Sequence, residues 1–135
     1  MLLEKRLIQL RGFRNVFQDE EIIGFQVPIR SLYYRAVWLS LLRPATVTVD
    51  GEKFEGAQIT WTISGKTYAQ ADLGKYNKVI WPLWEPAILT IKKPGGLKIG
   101  SHEVEVTYAF VRSYIPPSVD VHLKETAKRK MVLVT

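Results

Sequence analysis

The residues that could act on a substrate are few, and the two histidines are the first of them. His102 stands at the start of an alternating segment, in phase with Val104 and Val106, and His122 lies in a mixed segment after Pro117. Neither histidine belongs to a metal-binding pattern such as HExxH, and no GxSxG turn supplies a nucleophilic serine. We therefore expect structural or surface histidines, with no catalytic residue and no metal ligand on this chain.

Two glutamates, Glu103 and Glu105, stand two positions apart in the same alternating segment. On a strand they would lie on one face about 7 Å apart, a spacing similar to that of paired glycosidase carboxylates. Glycosidase carboxylates face each other across a cleft, whereas neighbours on one strand point the same way, which favours a solvated face. Gly95 and Gly96, with Gly100, do not form a GxGxxG pattern leading into a helix, so we interpret them as a hairpin loop.

The aromatic residues are candidates for the core or for a partner surface. Trp61 alternates with Ile59 and Ile63, which is typical of a core position. Trp81 and Trp84 flank prolines in a loop, so core and interface both remain open for this pair. Residues 112–117 end a strand with two prolines, which suits a contact surface and a simple turn equally well.

Size and composition indicate one globular domain. The 135 residues, 47% of them hydrophobic and 24% charged, can bury about two thirds of the unfolded surface. The absence of cysteine excludes disulfides, thiolate metal sites and cysteine nucleophiles, and suits a reducing cytoplasm. Glu4, Lys5 and Arg6 stand where a signal peptide needs an apolar core, and no apolar run reaches the ~20 residues of a membrane span. We expect a soluble, cytoplasmic protein.

The net charge of +6 raises the possibility of a nucleic-acid binder. Half of that excess comes from one segment near the C-terminus, which contains Lys124, Lys128, Arg129 and Lys130 against Glu125. The other basic residues are scattered among acidic ones. We interpret the basic segment as a solvated tail rather than a phosphate-binding arm.

Alternation of apolar and polar residues predicts strands along most of the chain. They fall at 13–17, 22–30, 33–42, 46–49, 58–64, 66–69, 87–92, 103–108 and 130–134. A short helix remains an alternative within 33–42, because ten mixed apolar residues fit either period. Pro28 predicts that the second strand lies at a sheet edge or is bulged.

The turns between these strands are marked by residues that accept positive φ. Asp50-Gly51 and Ser64-Gly65 each predict a tight hairpin, and Gly95-Gly96 is expected to join 87–92 and 103–108 into a long hairpin. Residues 70–78 are polar and turn-like. The pattern favours an all-β fold, a single antiparallel β-sandwich or flattened barrel domain over residues 1–135.

An ordered set of short segments runs through roughly residues 13–117. It consists of FRNV at 13–16, GFQVPIR at 24–30, YYR at 33–35 with Leu39-Ser40, TVDGE at 48–52, KPGGL at 93–97, GSHEVEV at 100–106 and RSYIP at 112–116. Taken together and in this order, these segments resemble the small β subunit of bacterial C-glycoside deglycosidases.

The resemblance implies a sandwich-like subunit that assembles with a larger α subunit, related to the sugar-phosphate isomerase and epimerase barrels. In that family the α subunit carries a divalent metal, usually manganese, and the acid and base groups. The complex cleaves the carbon–carbon bond between an aromatic aglycone, such as a flavonoid, and a sugar already oxidised to its 3-keto form. The ketone acidifies the sugar C2 proton, a base removes that proton, and the aglycone departs.

The leading interpretation is therefore a non-catalytic β subunit that stabilises the α subunit and completes the rim of its active site. The candidates for contact with the partner or the substrate are Tyr33, Tyr34, Arg35, Trp81, Trp84, Arg112 and Tyr114. A free-standing carbohydrate-binding module, in which Trp81 or Trp84 stacks on a sugar, is the main alternative. A basic nucleic-acid binder is a third.

Overall fold

The computed structural model describes residues 3–33, 35–111 and 122–135, the side chains of residues 122 and 123 excepted. The described part of the chain forms eleven strands and three short 3-10 turns. The strands are β1 (Arg14–Gln18), β2 (Glu21–Ile29), β3 (Val37–Trp38), β4 (Leu42–Val49), β5 (Glu52–Phe54), β6 (Ile59–Ile63), β7 (Lys66–Ala69), β8 (Ile80–Trp81), β9 (Ala87–Lys92), β10 (Gly100–Val111) and β11 (His122–Leu133). The 3-10 turns are Leu39–Leu41, Gly56–Gln58 and Gln70–Lys75.

The strands form two main sheets and a small ribbon, all antiparallel. One sheet has the order β1-β2-β9-β6-β7, the second has the order β11-β10-β4-β5, and β3 pairs with β8 alone. The all-β prediction is confirmed. Because each main sheet keeps two free edges among the described residues, the structure is the sandwich and not the flattened barrel.

Alternation explains which side chains enter the core. Ile59, Trp61 and Ile63 of β6 are buried, while the threonines between them are half-exposed. The two sheets meet through ring contacts, since Trp61 packs edge-to-face on Tyr108 of β10 at 6.3 Å between centroids. Complete burial of a large apolar side chain contributes about 1.5–3 kcal/mol, so this shared core holds the sheets together.

The two predicted tight hairpins are confirmed, because β4 pairs with β5 and β6 pairs with β7. β1 also pairs with β2. The turn residues Asp50 and Gly51 have φ of 49° and 89°, and Ser64 and Gly65 have φ of 52° and 79°. Positive φ at both central residues is what a two-residue turn between twisted strands requires.

The predicted hairpin between 87–92 and 103–108 is wrong. β9 lies between β2 and β6 in the first sheet, whereas β10 lies between β11 and β4 in the second. The connecting loop crosses from sheet to sheet and is held against β2, because the N–H of Gly95 donates to the carbonyl of Ile22 at 2.9 Å. A Cβ on Gly96 would collide with the Asn15 side chain, so this glycine permits a close approach as well as a positive φ of 61°. Alternation predicts which face is buried but not which strand is the neighbour.

Two further strand predictions need correction. Residues 33–42 do not form one strand, since only Val37–Trp38 is extended and a 3-10 turn over Leu39–Leu41 leads into β4. β2 is an interior strand, so the edge alternative is wrong, but the bulge alternative is confirmed, because Ile23 is an extra residue in its pairing with β1. Pro28 is tolerated because the pairing of β2 with β1 ends at Gln26, opposite Arg14, so no β1 carbonyl needs an N–H from Pro28. The Pro28 carbonyl accepts a bond from the N–H of Gln9 on the side away from β9.

The basic C-terminal segment is not a solvated tail. It belongs to β11, which pairs with β10 from Leu133 back to His122. The Arg129 side chain is largely buried and donates to a Glu4 carboxylate oxygen at 2.9 Å and to the Ile8 carbonyl at 2.7 Å. Deleting this segment would therefore remove most of a strand, rather than only a patch of charge.

Candidate partner-binding surface

Strand register places most of the candidate residues at one end of the sandwich. The end of β2 lies beside the start of β9, which lies beside the end of β6, because Ile29 faces Ala87 and Thr62 faces Ile88. In the other sheet, Leu42 faces Phe110 at the corresponding end. We call this the aromatic end, formed by residues 31–33 and 35–41, the β6–β7 turn, the loop between β8 and β9, and the end of β10.

Trp84 is the most exposed tryptophan at this end, with 71% of its surface accessible. Its loop is tied on both sides through Glu85. The indole N–H of Trp81 donates to the Glu85 carbonyl at 2.9 Å, and the hydroxyl of Ser64 donates to a Glu85 carboxylate oxygen at 2.6 Å. An aromatic ring held in water by an ordered loop loses little conformational freedom when a partner covers it.

Trp81 is fully buried, which settles the alternative left open for it in favour of the core. Its ring lies 5.8 Å from that of Trp61 and 5.6 Å from that of Tyr108, between centroids. Trp61 is in turn fixed by its indole N–H, which donates to the buried Gln70 side-chain carbonyl at 2.8 Å. The Trp84 loop is thus anchored through Trp81 to the centre of the core.

Tyr33 and Arg35 lie on the segment that follows β2. Tyr33 is half-buried, with its ring 4.9 Å from that of Phe110 between centroids, and Arg35 is exposed. Leu32 beside them exposes 45% of its surface. The structure therefore brings Tyr33, Arg35 and Trp84 to the same end of the molecule, whereas Tyr34, Arg112 and Tyr114 lie outside the described residues.

Two exposed apolar residues at this end were not found from the sequence. Trp38 and Ile80 are directly opposite each other on the β3–β8 ribbon, and their accessible fractions are 40% and 38%. The other pair of the ribbon, Val37 and Trp81, is buried, so one face of the ribbon is apolar and exposed to solvent. The sequence placed Trp38 inside one predicted strand over 33–42, whereas only Val37–Trp38 is extended there and pairs with β8.

Tyr108 lies in the core beneath the aromatic end, where its ring contacts those of Trp61, Trp81 and Phe110. Burial raises the pKa of Tyr108 to about 12. The phenol therefore remains neutral near pH 7 and acts as a packing residue, not as a base.

The opposite end of the sandwich is closed by polar contacts around His102, which we call the clasp. One ring nitrogen of His102 lies 2.6 Å from an Asp50 carboxylate oxygen, and the other lies 2.6 Å from the Lys98 carbonyl. The N–H of Glu103 donates to the second Asp50 oxygen at 2.8 Å. The clasp joins the β4–β5 turn to the crossing loop, so His102 has a structural role, as the sequence predicted. His122 has no described side chain.

Both pKa values in the clasp shift toward the charged pair. Burial alone lowers the pKa of His102, but the bonds to the Lys98 carbonyl and the Asp50 carboxylate outweigh it and raise the pKa above its ordinary 6.5. The Glu103 N–H, and then His102, lower the pKa of Asp50 below its ordinary 3.8. Because both ring nitrogens face acceptors, the doubly protonated imidazolium satisfies this geometry best.

The described residues offer no metal site, because no three His, Cys, Asp or Glu side chains converge there. Glu103 and Glu105 lie on the outer face of β10 as predicted, with Glu103 exposed and 3.6 Å from the Lys128 ammonium. Three surface grooves have no tryptophan in their lining. Within the described ranges, no helix is long and apolar enough to cross a bilayer.

Comparison with known proteins gives a consistent family. The model of the family described as "C-glycoside deglycosidase beta subunit" matches residues 3–114. A protein of Eubacterium cellulosolvens named C-glycoside deglycosidase beta subunit is 44% identical over 118 residues, covering 87% of this chain and 80% of the relative.

Two more distant relatives carry related names. A Microbacterium protein named 3'-dehydrocarminate deglycosidase beta subunit is 30% identical, covering 87% of this chain and 92% of its own length. A C-glycoside deglycosidase beta subunit of Arthrobacter globiformis is 25% identical, with 88% and 96% covered.

Proposed function

We propose that this chain, which belongs to the family of C-glycoside deglycosidase beta subunits, is the non-catalytic member of a hetero-oligomer with a larger α subunit. Its role is to stabilise the α subunit and to complete the rim of that subunit's active site. The observation that supports this most directly is the aromatic end, where Trp84 projects from a loop tied to the core.

The composition of the aromatic end fits a subunit interface better than a catalytic centre. Trp38, Ile80 and Trp84 are exposed large apolar residues, and Tyr33 and Arg35 lie on the neighbouring segment. Tryptophan, tyrosine and arginine are the residues that most often carry binding energy at the centre of an interface. The described acidic residues, by contrast, do not converge on a metal position, and each of the three grooves described above has only one of them in its lining.

The chemistry is proposed for the partner. We assign to an α subunit of barrel fold the divalent metal, with manganese as the expected ion, and the acid and base groups. The substrate would be a 3-keto C-glycoside of an aromatic aglycone, and the cytoplasm would be the compartment. The Microbacterium relative is named for a 3'-dehydro compound and for deglycosidase activity, which supports an oxidised glycoside as the substrate class.

Co-expression tests the proposal. The chain and an α subunit of this family should co-elute from a size-exclusion column as one species, and the complex with manganese should cleave a 3-keto flavonoid C-glycoside. The isolated chain should cleave nothing and should retain no stoichiometric manganese after dialysis. Separate elution of the two chains, or cleavage by this chain alone, would contradict the assignment.

The carbohydrate-binding alternative now depends on Trp84. Trp81 is fully buried, so it has no free face for a sugar, whereas Trp84 is open. Titrating the isolated chain with a C-glycoside and following tryptophan fluorescence separates the two functions. Saturable binding that disappears in Trp84→Ala, without any α subunit present, would favour the free-standing module.

A further inference from the structure

Among the described residues, the four edge strands of the two main sheets differ greatly in length. β1, β5 and β7 are edge strands of five, three and four residues, and the pairing of β1 is interrupted by a bulge at Ile23. β11 is an edge strand of twelve residues. At about 3.3 Å per residue it presents roughly 40 Å of backbone. No described strand covers its far side, and proteins normally shorten or bulge such edges, as this one does elsewhere.

The outward side chains of β11 form a basic row. Lys124, Lys128 and Lys130 are exposed on the face opposite the core. On the covered side of this row, β10 places Glu105 opposite Lys128 and Glu103 opposite Lys130. The strand that already pairs with β11 therefore has acidic residues, at alternate positions, opposite two of the lysines. Opposite charges at directly facing positions stabilise a strand pair, and like charges destabilise it.

The same pattern disfavours a second copy of this chain on β11. An antiparallel pairing of β11 with itself places outward lysines near one another, because Lys128 and Lys130 lie on the same face. The remaining edges, β1, β5 and β7, are too short to cover twelve residues. A strand from a different protein, with acidic residues at alternate positions, has neither defect.

We propose that β11 accepts an extended acidic segment of the α subunit as an additional strand of its sheet. This inference depends on the proposed function. The position of β11 supports one partner for both surfaces, because the strand starts at the aromatic end, where His122 faces Val111 and Lys124 faces Ala109. Backbone bonds along the edge would supply affinity, and the lysine row would select an acidic strand.

Amide hydrogen exchange on the isolated chain and on its complex with the α subunit gives the first test. In the isolated chain, alternate amides of β11 face β10 and should be protected, while those between them should exchange freely. In the complex the free set should become protected. Protection of the whole strand in the isolated chain would mean that the chain covers its own edge, and would overturn the proposal.

Charge reversal provides the second test. The variant Lys124→Glu, Lys128→Glu, Lys130→Glu should weaken assembly about tenfold or more, because three facing attractions become repulsions. The control Lys53→Glu, Lys92→Glu, Lys98→Glu makes the same change of net charge at exposed lysines outside β11, and should change the Kd by less than about twofold. Circular dichroism checks that each triple variant is folded. If a variant does not fold, the hydrogen-exchange experiment on the parent chain alone tests strand addition.

The outcomes separate this inference from the function beneath it. A complex that forms while the β11 amides stay unprotected, or one that tolerates the charge reversal, overturns strand addition and leaves the subunit assignment intact. A homodimer of the isolated chain in which the free β11 amides become protected would identify a second copy as the occupant. Absence of any complex with the α subunit would overturn both proposals.

Discussion

The two ends of the sandwich differ in how far their side chains are satisfied within the chain. At the clasp end, Asp50 and His102 close the turns with short polar bonds, and their pairing is satisfied within the chain. At the aromatic end, Trp84 and the Trp38–Ile80 ribbon leave apolar surface in water although their loops are tied to the core. A protein gains stability from the first arrangement alone, so the second is where binding to another molecule is expected.

The largest expected difference separates two tryptophans that stand three residues apart. Trp81→Ala should lower the free energy of unfolding by about 3–5 kcal/mol, because a buried ring is replaced by a cavity. Trp84→Ala should change it by less than about 0.5 kcal/mol, because that ring is exposed. Urea denaturation followed by circular dichroism measures both, and comparable losses would show that Trp84 is a core residue.

Gln70 supports the aromatic end from below and should have the next largest effect. Its carboxamide oxygen accepts the N–H of Ala45 and the indole N–H of Trp61, both at 2.8 Å. Gln70→Met keeps the volume but leaves these donors buried without an acceptor, which should cost about 3 kcal/mol in urea denaturation. The control is Gln58→Met, whose exposed side chain accepts a bond from the Glu55 N–H at 3.1 Å, and an equal loss there would argue against this role.

The clasp should affect stability modestly and assembly not at all. Asp50→Ala removes the acceptor for Glu103 and His102 and should destabilise the fold by about 1–2 kcal/mol. Asp72→Ala, which breaks only an exposed pair with Lys75, should cost less than about 0.5 kcal/mol. If Asp50→Ala weakened binding to the α subunit while the fold kept its stability, the clasp end would be part of the interface.

The smallest effect is a pH dependence with a defined sign. The pKa of His102 is raised in the folded chain, so its contribution is complete below the ordinary value of 6.5 and is lost as the pH rises through the folded pKa. The pKa of Asp50 is lowered, so its contribution is complete above 3.8 and is lost as the pH falls through the folded pKa. Thermal melts should therefore show the loss on the alkaline side, and His102→Gln should remove it. An unchanged alkaline slope in that variant would exclude His102 as its source.

Much of the fold could be predicted from local pattern, and the failures share a cause. Positive-φ pairs such as Asp50-Gly51 identified their turns, and alternation identified buried residues such as Trp61. The pairing of β9 and β10 was missed because both strands alternate regardless of which neighbour they meet. The basic segment was interpreted as a tail because its many charges obscure the alternation of a strand. Only the pairing with β10 shows that Arg129 and Met131 are inward positions.

The candidate surface was found in part for a similar reason. Trp84 stood out because prolines flank it in a loop, and Tyr33 and Arg35 through the family resemblance. The exposed face of Trp38 and Ile80 depends on a pairing between segments about forty residues apart, which composition does not reveal. The same holds for the bond from Asp50 to His102, which spans fifty-two positions.

The central claim is that the α subunit covers the aromatic end of the sandwich, and two matched variants test it directly. Trp84 and Phe17 are large aromatic residues with accessible fractions of 71% and 56%, and Phe17 lies beside the β1–β2 turn, away from the aromatic end. Isothermal titration of each alanine variant with the α subunit should give a Kd about thirtyfold weaker for Trp84→Ala, equivalent to about 2 kcal/mol, and within about twofold of the parent for Phe17→Ala. A parent-like Kd for Trp84→Ala together with a large loss for Phe17→Ala would place the interface at the opposite end and contradict this account.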